Sequence, residues 1–131
     1  MPVSLRNEPW RASLSALRAA LLHLHKQLLD AERLRYETEH GPIKSNGDYL
    51  QLLIHNPRFT WLQPFTTLIV AIDETEDSKE QVSDATVAGH WEQTRELLKE
   101  ELGDSPLARL IAEVPAVQVA YQEVRVQLQR S

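Results

Sequence analysis

At 131 residues, with 42% hydrophobic and 25% charged side chains, the chain is long enough for one cooperative core and lies outside the disordered regime. Its formal charge is -5, and its bases are interspersed with acids, which argues against a phosphate-binding face and hence against a nucleic-acid partner. The absence of cysteine excludes disulfides, thiolate metal sites, iron–sulfur ligation and a cysteine nucleophile.

Four glycines, few aromatics and plentiful Leu, Ala, Glu, Gln and Arg favour helix over sheet. The first residues lack the basic and then apolar pattern of a signal peptide, and the longest apolar run, Leu68 to Ile72, is far too short to span a bilayer. The expectation is a cytoplasmic protein with no membrane partner.

The first long helix should begin near Asn7 or Trp10, with Pro9 in its first turn, and end near His40-Gly41-Pro42. Leu14, Leu17, Leu21, Leu24, Leu28 and Ala31 recur at steps of three and four and align one apolar stripe, which Leu22, Leu29 and Leu34 widen. Arg11, Arg18, Lys26 and Arg33 mark the opposite, solvated face. Ser45-Asn46-Gly47-Asp48 then offers caps for a short helix of about two turns ending at Asn56-Pro57, since proline disfavours helix in the residue before it.

Thr60-Trp61-Leu62-Gln63 fits a capping box, with Phe59 and Pro64 in the staple positions, and predicts a central helix start at Thr60. Leu62, Phe65, Leu68, Ile69, Val70, Ala71 and Ile72 cover most of that helix's circumference. After an acidic connection, a helix over 78–102 should bury Val87, Trp91, Thr94, Leu98 and Leu102 and stop at Gly103. Ser105-Pro106 opens the last stretch. Its apolar residues Leu107, Leu110, Ile111, Val114, Val117, Tyr121, Val124 and Leu128 keep one phase through Pro115, which predicts a kinked helix or two coaxial pieces. The sum is an all-α, up-and-down bundle of four to five helices forming one domain over 1–131.

No catalytic pattern emerges: there is no G-x-S-x-G elbow, and Gly41, Gly47, Gly89 and Gly103 are isolated rather than clustered into a phosphate loop. His55, Asn56, Arg58, Trp61 and Gln63 group hydrogen-bonding side chains and an aromatic plane in one short stretch, a candidate small-molecule or partner pocket. Glu37-Thr38-Glu39-His40 contains one E-x-x-H, the step that puts two ligands on one helix face. Di-iron bundles need it twice with two further glutamates, and His40 abuts a helix end. His23 and His25 point to different sides of their helix.

The stretch from His55 to Phe65, continuing through Leu68-Ile69 to Ile72-Asp73, resembles a segment of uncharacterised bacterial proteins. That resemblance implies a bacterial origin, no assigned activity and no transferable site residue.

The leading expectation is therefore a non-enzymatic protein–protein interaction or regulatory module without a cofactor, most simply a homodimer. Val119 and Val126, seven residues apart and off the core stripe, would form its second apolar strip; a second layer of core is the competing reading. The alternative is a bundle binding a small ligand or a transition metal such as iron or zinc through Glu37, His40 and His55, joined by Glu74 or His90.

Overall fold

The computed structural model describes residues 9–99 and 103–130. The architecture is all-α, with no strand among the described residues: α1 (Pro9–His40), α2 (Asn46–His55), α3 (Pro57–Thr60), α4 (Gln63–Glu76), α5 (Asp84–Leu98), α6 (Pro106–Glu113) and α7 (Pro115–Arg130). None of them is long and apolar enough to cross a membrane.

α1 is the spine, and its predicted stripe is the centre of the core: Leu14, Leu17, Leu21, Leu24 and Leu28 are fully buried. Cross-helix pairs fix the directions of its neighbours. His23 meets Glu123 on α7 and Arg35 meets Glu113 at the end of α6, so the α6–α7 stretch runs antiparallel to α1 on one flank. His25 meets Thr66 and Arg18 meets Glu76, so α4 is antiparallel on the other. α7 contributes Val117, Ala120, Tyr121 and Val124, α4 contributes Phe65, Leu68, Ile69 and Ile72, and α5 adds Trp91, Thr94 and Leu98. At roughly 25 cal/mol per Å² of apolar surface buried, this continuous cluster is the dominant stabilising term.

The solvated face drawn for α1 needs correction at Arg11, which is buried. Its guanidinium donates to the carbonyl oxygens of Glu76 and, at 3.1 Å, Ser78. These are acceptors at and just beyond the C-terminus of α4, where a cation is electrostatically favoured. Leu22 and Leu34, expected to widen the core stripe, are 43% and 67% exposed.

Three helix boundaries also differ from the sequence expectation. The start at Thr60 fails because Asn56, having ended α2, caps a separate turn by accepting from Arg58 N–H at 2.9 Å. That places Thr60 inside α3, whereas an N-cap residue needs extended backbone; α4 begins at Gln63 with no side-chain cap. The fifth helix starts at Asp84 rather than Ser78, because Ser83 is extended and its hydroxyl accepts from Thr86 N–H at 3.1 Å. The last stretch is broken at Val114, which proline holds extended (φ -118°, ψ 106°), although the buried stripe keeps its phase across the break. Ser105 and Ser45 cap α6 and α2 as expected, and Gly103 takes a φ of 104° that suits glycine. The expected cap at Asn7 and the end at Leu102 lie outside the described residues.

Candidate functional site

The five residues grouped by sequence, His55 to Gln63, do not line one pocket. They surround the single turn of α3 and face different ways. His55 and Asn56 border an open hollow of about 570 Å³ between the end of α1 and α2, with Tyr36, His40, Lys44 and Asp48. Arg58 turns outward and donates to Glu39 at 2.6 Å. Gln63 opens onto two other hollows beside α4.

Trp61 points inward, where its indole N–H donates to Glu32 at 2.7 Å and its ring meets Phe65 edge-on at 6.3 Å. Glu32 is itself 5% exposed, and leaving either partner of such a buried pair unmatched costs about 1–3 kcal/mol. The sequence reading missed Glu32, though a signal was present. It stands eighteen residues, five whole turns, after the buried Leu14 and therefore shares its bearing on α1.

The metal candidates are brought together only in pairs. His40 and His55 share the α1–α2 hollow, and the His40 ring stacks on Tyr36 with centroids 4.5 Å apart. Glu37 is held elsewhere: one carboxylate oxygen accepts from the Ile43 N–H at 2.9 Å and the other from Arg33 at 3.4 Å. Glu74 and His90 share a different hollow between α4 and α5. Thr75 gives its one hydroxyl hydrogen to the carbonyl of Ala71, so the His90 Nε2 at 2.7 Å must be the donor to Thr75, and that nitrogen is used. Burial pulls His90 below the usual histidine range, and does the same to His25, which contacts Thr66 at 3.1 Å. Among the described residues, no three His, Asp or Glu side chains form a group able to hold a metal ion.

The cations of α1 are likewise engaged within the fold. Arg18 pairs with Glu76 at 3.1 Å, Lys26 with Asp30 at 2.7 Å, Arg33 with Glu37, and Arg35 with Glu113.

Among the described residues the large exposed hydrophobic side chains are Leu22, Leu34, Leu50, Ile54, Val70, Val119 and Val126. The helix α2 buries none of its residues. Of the polar side chains singled out in the sequence, Asn56 caps α3, and Arg58, Trp61, Glu37 and His90 are held by partners within the fold. Comparison with protein-family models, with curated proteins and with solved structures gives no match to the chain.

Proposed function

We propose that the protein is a non-enzymatic interaction module that pairs with a second copy of itself through the outer face of α7. The carrying observation is that Val119 and Val126, one heptad apart on that helix, are 58% and 42% exposed, so they are not a second layer of core. Ala116, Gln122 and Gln129 neighbour them at steps of three and four, and the charged Glu123 and Arg130 lie along one edge of this exposed strip. Desolvating the uncharged centre of the strip costs little compared with a charged surface.

Charge on the flanks favours the antiparallel arrangement. Glu123 and Arg130 are seven residues apart on one side of the strip, and in an antiparallel pair that side faces its own copy, so each Glu123, which keeps one oxygen on His23 of its own chain, meets the other copy's Arg130. A parallel pair would set Arg125 against Arg130 instead, a like-charge contact.

Sedimentation equilibrium of the wild type and of Val119→Glu/Val126→Glu tests this reading, with loading up to on the order of 100 µM to reach weak affinities. The expected result is a wild-type dimer whose dissociation constant rises at least about tenfold in the variant, with unchanged circular dichroism because both positions are exposed. A wild type that stays monomeric at the highest concentration overturns it.

A further inference from the structure

Of the chain's asparagines, Asn7, Asn46 and Asn56, Asn46 alone is followed by glycine. In such a pair the backbone nitrogen of the glycine can attack the asparagine Cγ, because no Cβ on the second residue crowds the approach. The nitrogen gives its proton to water as the N–Cγ bond forms, the Cγ–Nδ2 bond breaks, and ammonia departs to leave a five-membered succinimide. Water then opens the ring at one carbonyl or the other, giving aspartate or isoaspartate. The net change is one water consumed and one ammonia released, with no oxidant and no cofactor. Asn56 is barred from the same course, since Pro57 has no backbone N–H to lose.

Asn46 and Gly47 are the first two residues of α2, and both are exposed. The amides that follow them are engaged: the Asp48 N–H donates to the Ser45 hydroxyl at 3.0 Å and the Tyr49 N–H to the Ser45 carbonyl at 3.1 Å. Among the described residues no acceptor takes the Gly47 N–H, as befits a donor in a first helical turn. Conformation is what restrains this nitrogen. The ring closes only when ψ of Asn46 turns well away from the helical value of about -42°. Conversion therefore needs the first turn of α2 to open. That turn is weakly held: α2 buries none of its residues, and its 10 residues fall short of the roughly 12–15 at which isolated helices become even marginal. Segments held in this way open locally without global unfolding.

We infer that Asn46–Gly47 is a self-modification site of this protein, at which asparagine converts to aspartate or isoaspartate at a rate set by local opening of α2, with the Ser45 cap as the brake. The two products diverge. Aspartate adds one negative charge at the positive end of the helix, to a chain already at -5, and keeps α2. Isoaspartate puts an extra methylene into the main chain between Ser45 and Asp48, so the hydroxyl and the N–H no longer meet and the cap is lost. Asp48 and Gln51 border the hollow at the end of α1, which the isoaspartate form therefore reshapes and the aspartate form leaves in place. Nothing in this depends on the α7 strip.

The whole chain is incubated at neutral pH, folded and in guanidinium, and conversion at each asparagine is followed by peptide mass spectrometry. Electron-transfer fragmentation separates aspartate from isoaspartate. Asn46 should convert in both conditions and Asn56 in neither, with the folded chain slower by at least about fivefold, the least that a working N-cap implies. Ser45→Ala should speed conversion in the folded chain about fivefold and leave the unfolded chain unchanged, whereas Ser45→Thr, which keeps a capping hydroxyl, should stay near the wild type. Gly47→Ala, whose added methyl group meets only the Ser45 Oγ at 3.8 Å, should largely abolish conversion in both conditions. Equal rates in the folded and unfolded chain, a folded chain in which Asn46 never converts, or a Ser45→Ala rate equal to that of the wild type overturns the inference. Conversion of Gly47→Ala at the wild-type rate does so as well, because the approach to Asn46 Cγ would then not run through an uncrowded residue 47.

Discussion

The seam between α1 and α7 and the arm formed by α2 and α3 are built from similar residues used in opposite ways. On the seam, leucines and valines at steps of three and four meet a facing stripe, and Leu17, Leu21, Leu24, Val117 and Val124 are all fully buried. In the arm, Leu50, Leu52, Leu53 and Ile54 have no facing helix on their outer side, and α2 buries nothing. The arm is held instead by caps at Ser45 and Asn56 and by Phe59, whose ring lies 5.9 Å from both Tyr36 and Tyr49. The contrast teaches that apolar content alone does not locate a core. A helix is buried only where a second stripe of matching period is brought against it.

The largest test of that contrast is a pair of leucine truncations. Leu24→Ala on the seam should cost about 2–5 kcal/mol, because a fully buried side chain leaves a cavity, whereas Leu50→Ala in the arm should stay within about 0.5 kcal/mol. Urea unfolding followed by circular dichroism measures both. If the two costs came out equal, the arm would be part of the core and the distinction drawn between them would fall.

A smaller effect sharpens the boundary between the regions, where Trp61 follows the arm and reaches back to Glu32 on the spine. Glu32→Ala should destabilise by about 1–3 kcal/mol, because the indole N–H of Trp61 loses its acceptor. The double variant Glu32→Ala/Trp61→Phe should cost less than the sum of the single changes, since it removes the stranded donor as well. Strict additivity in that cycle would mean that the 2.7 Å contact contributes nothing to folding.

Much of this arrangement was legible from the order of residues alone, and the reason differs between elements. The α1 stripe could be read because six apolar residues repeat in one phase, and the break after Leu110 kept its burial pattern because the phase survives Val114. The same phase argument reaches Glu32, but residue type masks it: a glutamate reads as surface until a donor such as Trp61 is known to face it. Arg11 is hidden in the same way, since its acceptors are backbone oxygens 65 and 67 residues away. The grouping of His55 to Gln63 failed for a geometric reason. Those residues are close in sequence around a single helical turn, which spreads consecutive side chains over all sides instead of converging them. Leu22 and Val70 offer the converse lesson: each looks unremarkable on its own helix, and only the antiparallel register makes them neighbours.

The smallest expected effect concerns pH and again separates the spine from its surroundings. Burial lowers the pKa of His25 and of His90, so the folded protein prefers both rings neutral, while the unfolded chain protonates them near the ordinary histidine value of about 6.5. Between the folded and unfolded values the unfolded state binds more protons, and stability therefore rises with pH across that window. The contribution is fully present above about pH 6.5 and is lost as the pH falls towards the folded values, below which it stays flat. Both rings are only partly buried, so solvent screening keeps the effect modest. Melting temperature followed from about pH 7.5 down to about pH 5.5, where carboxylates remain mostly ionised, isolates it. The wild type should lose stability over that interval, and His25→Asn/His90→Gln, which keeps a donor for Thr75 at position 90, should lose less. An identical pH slope in the variant would mean that the two rings are as well hydrated in the folded protein as in the unfolded chain, and that the α1–α4 and α4–α5 seams they line are wetter than their apolar neighbours imply.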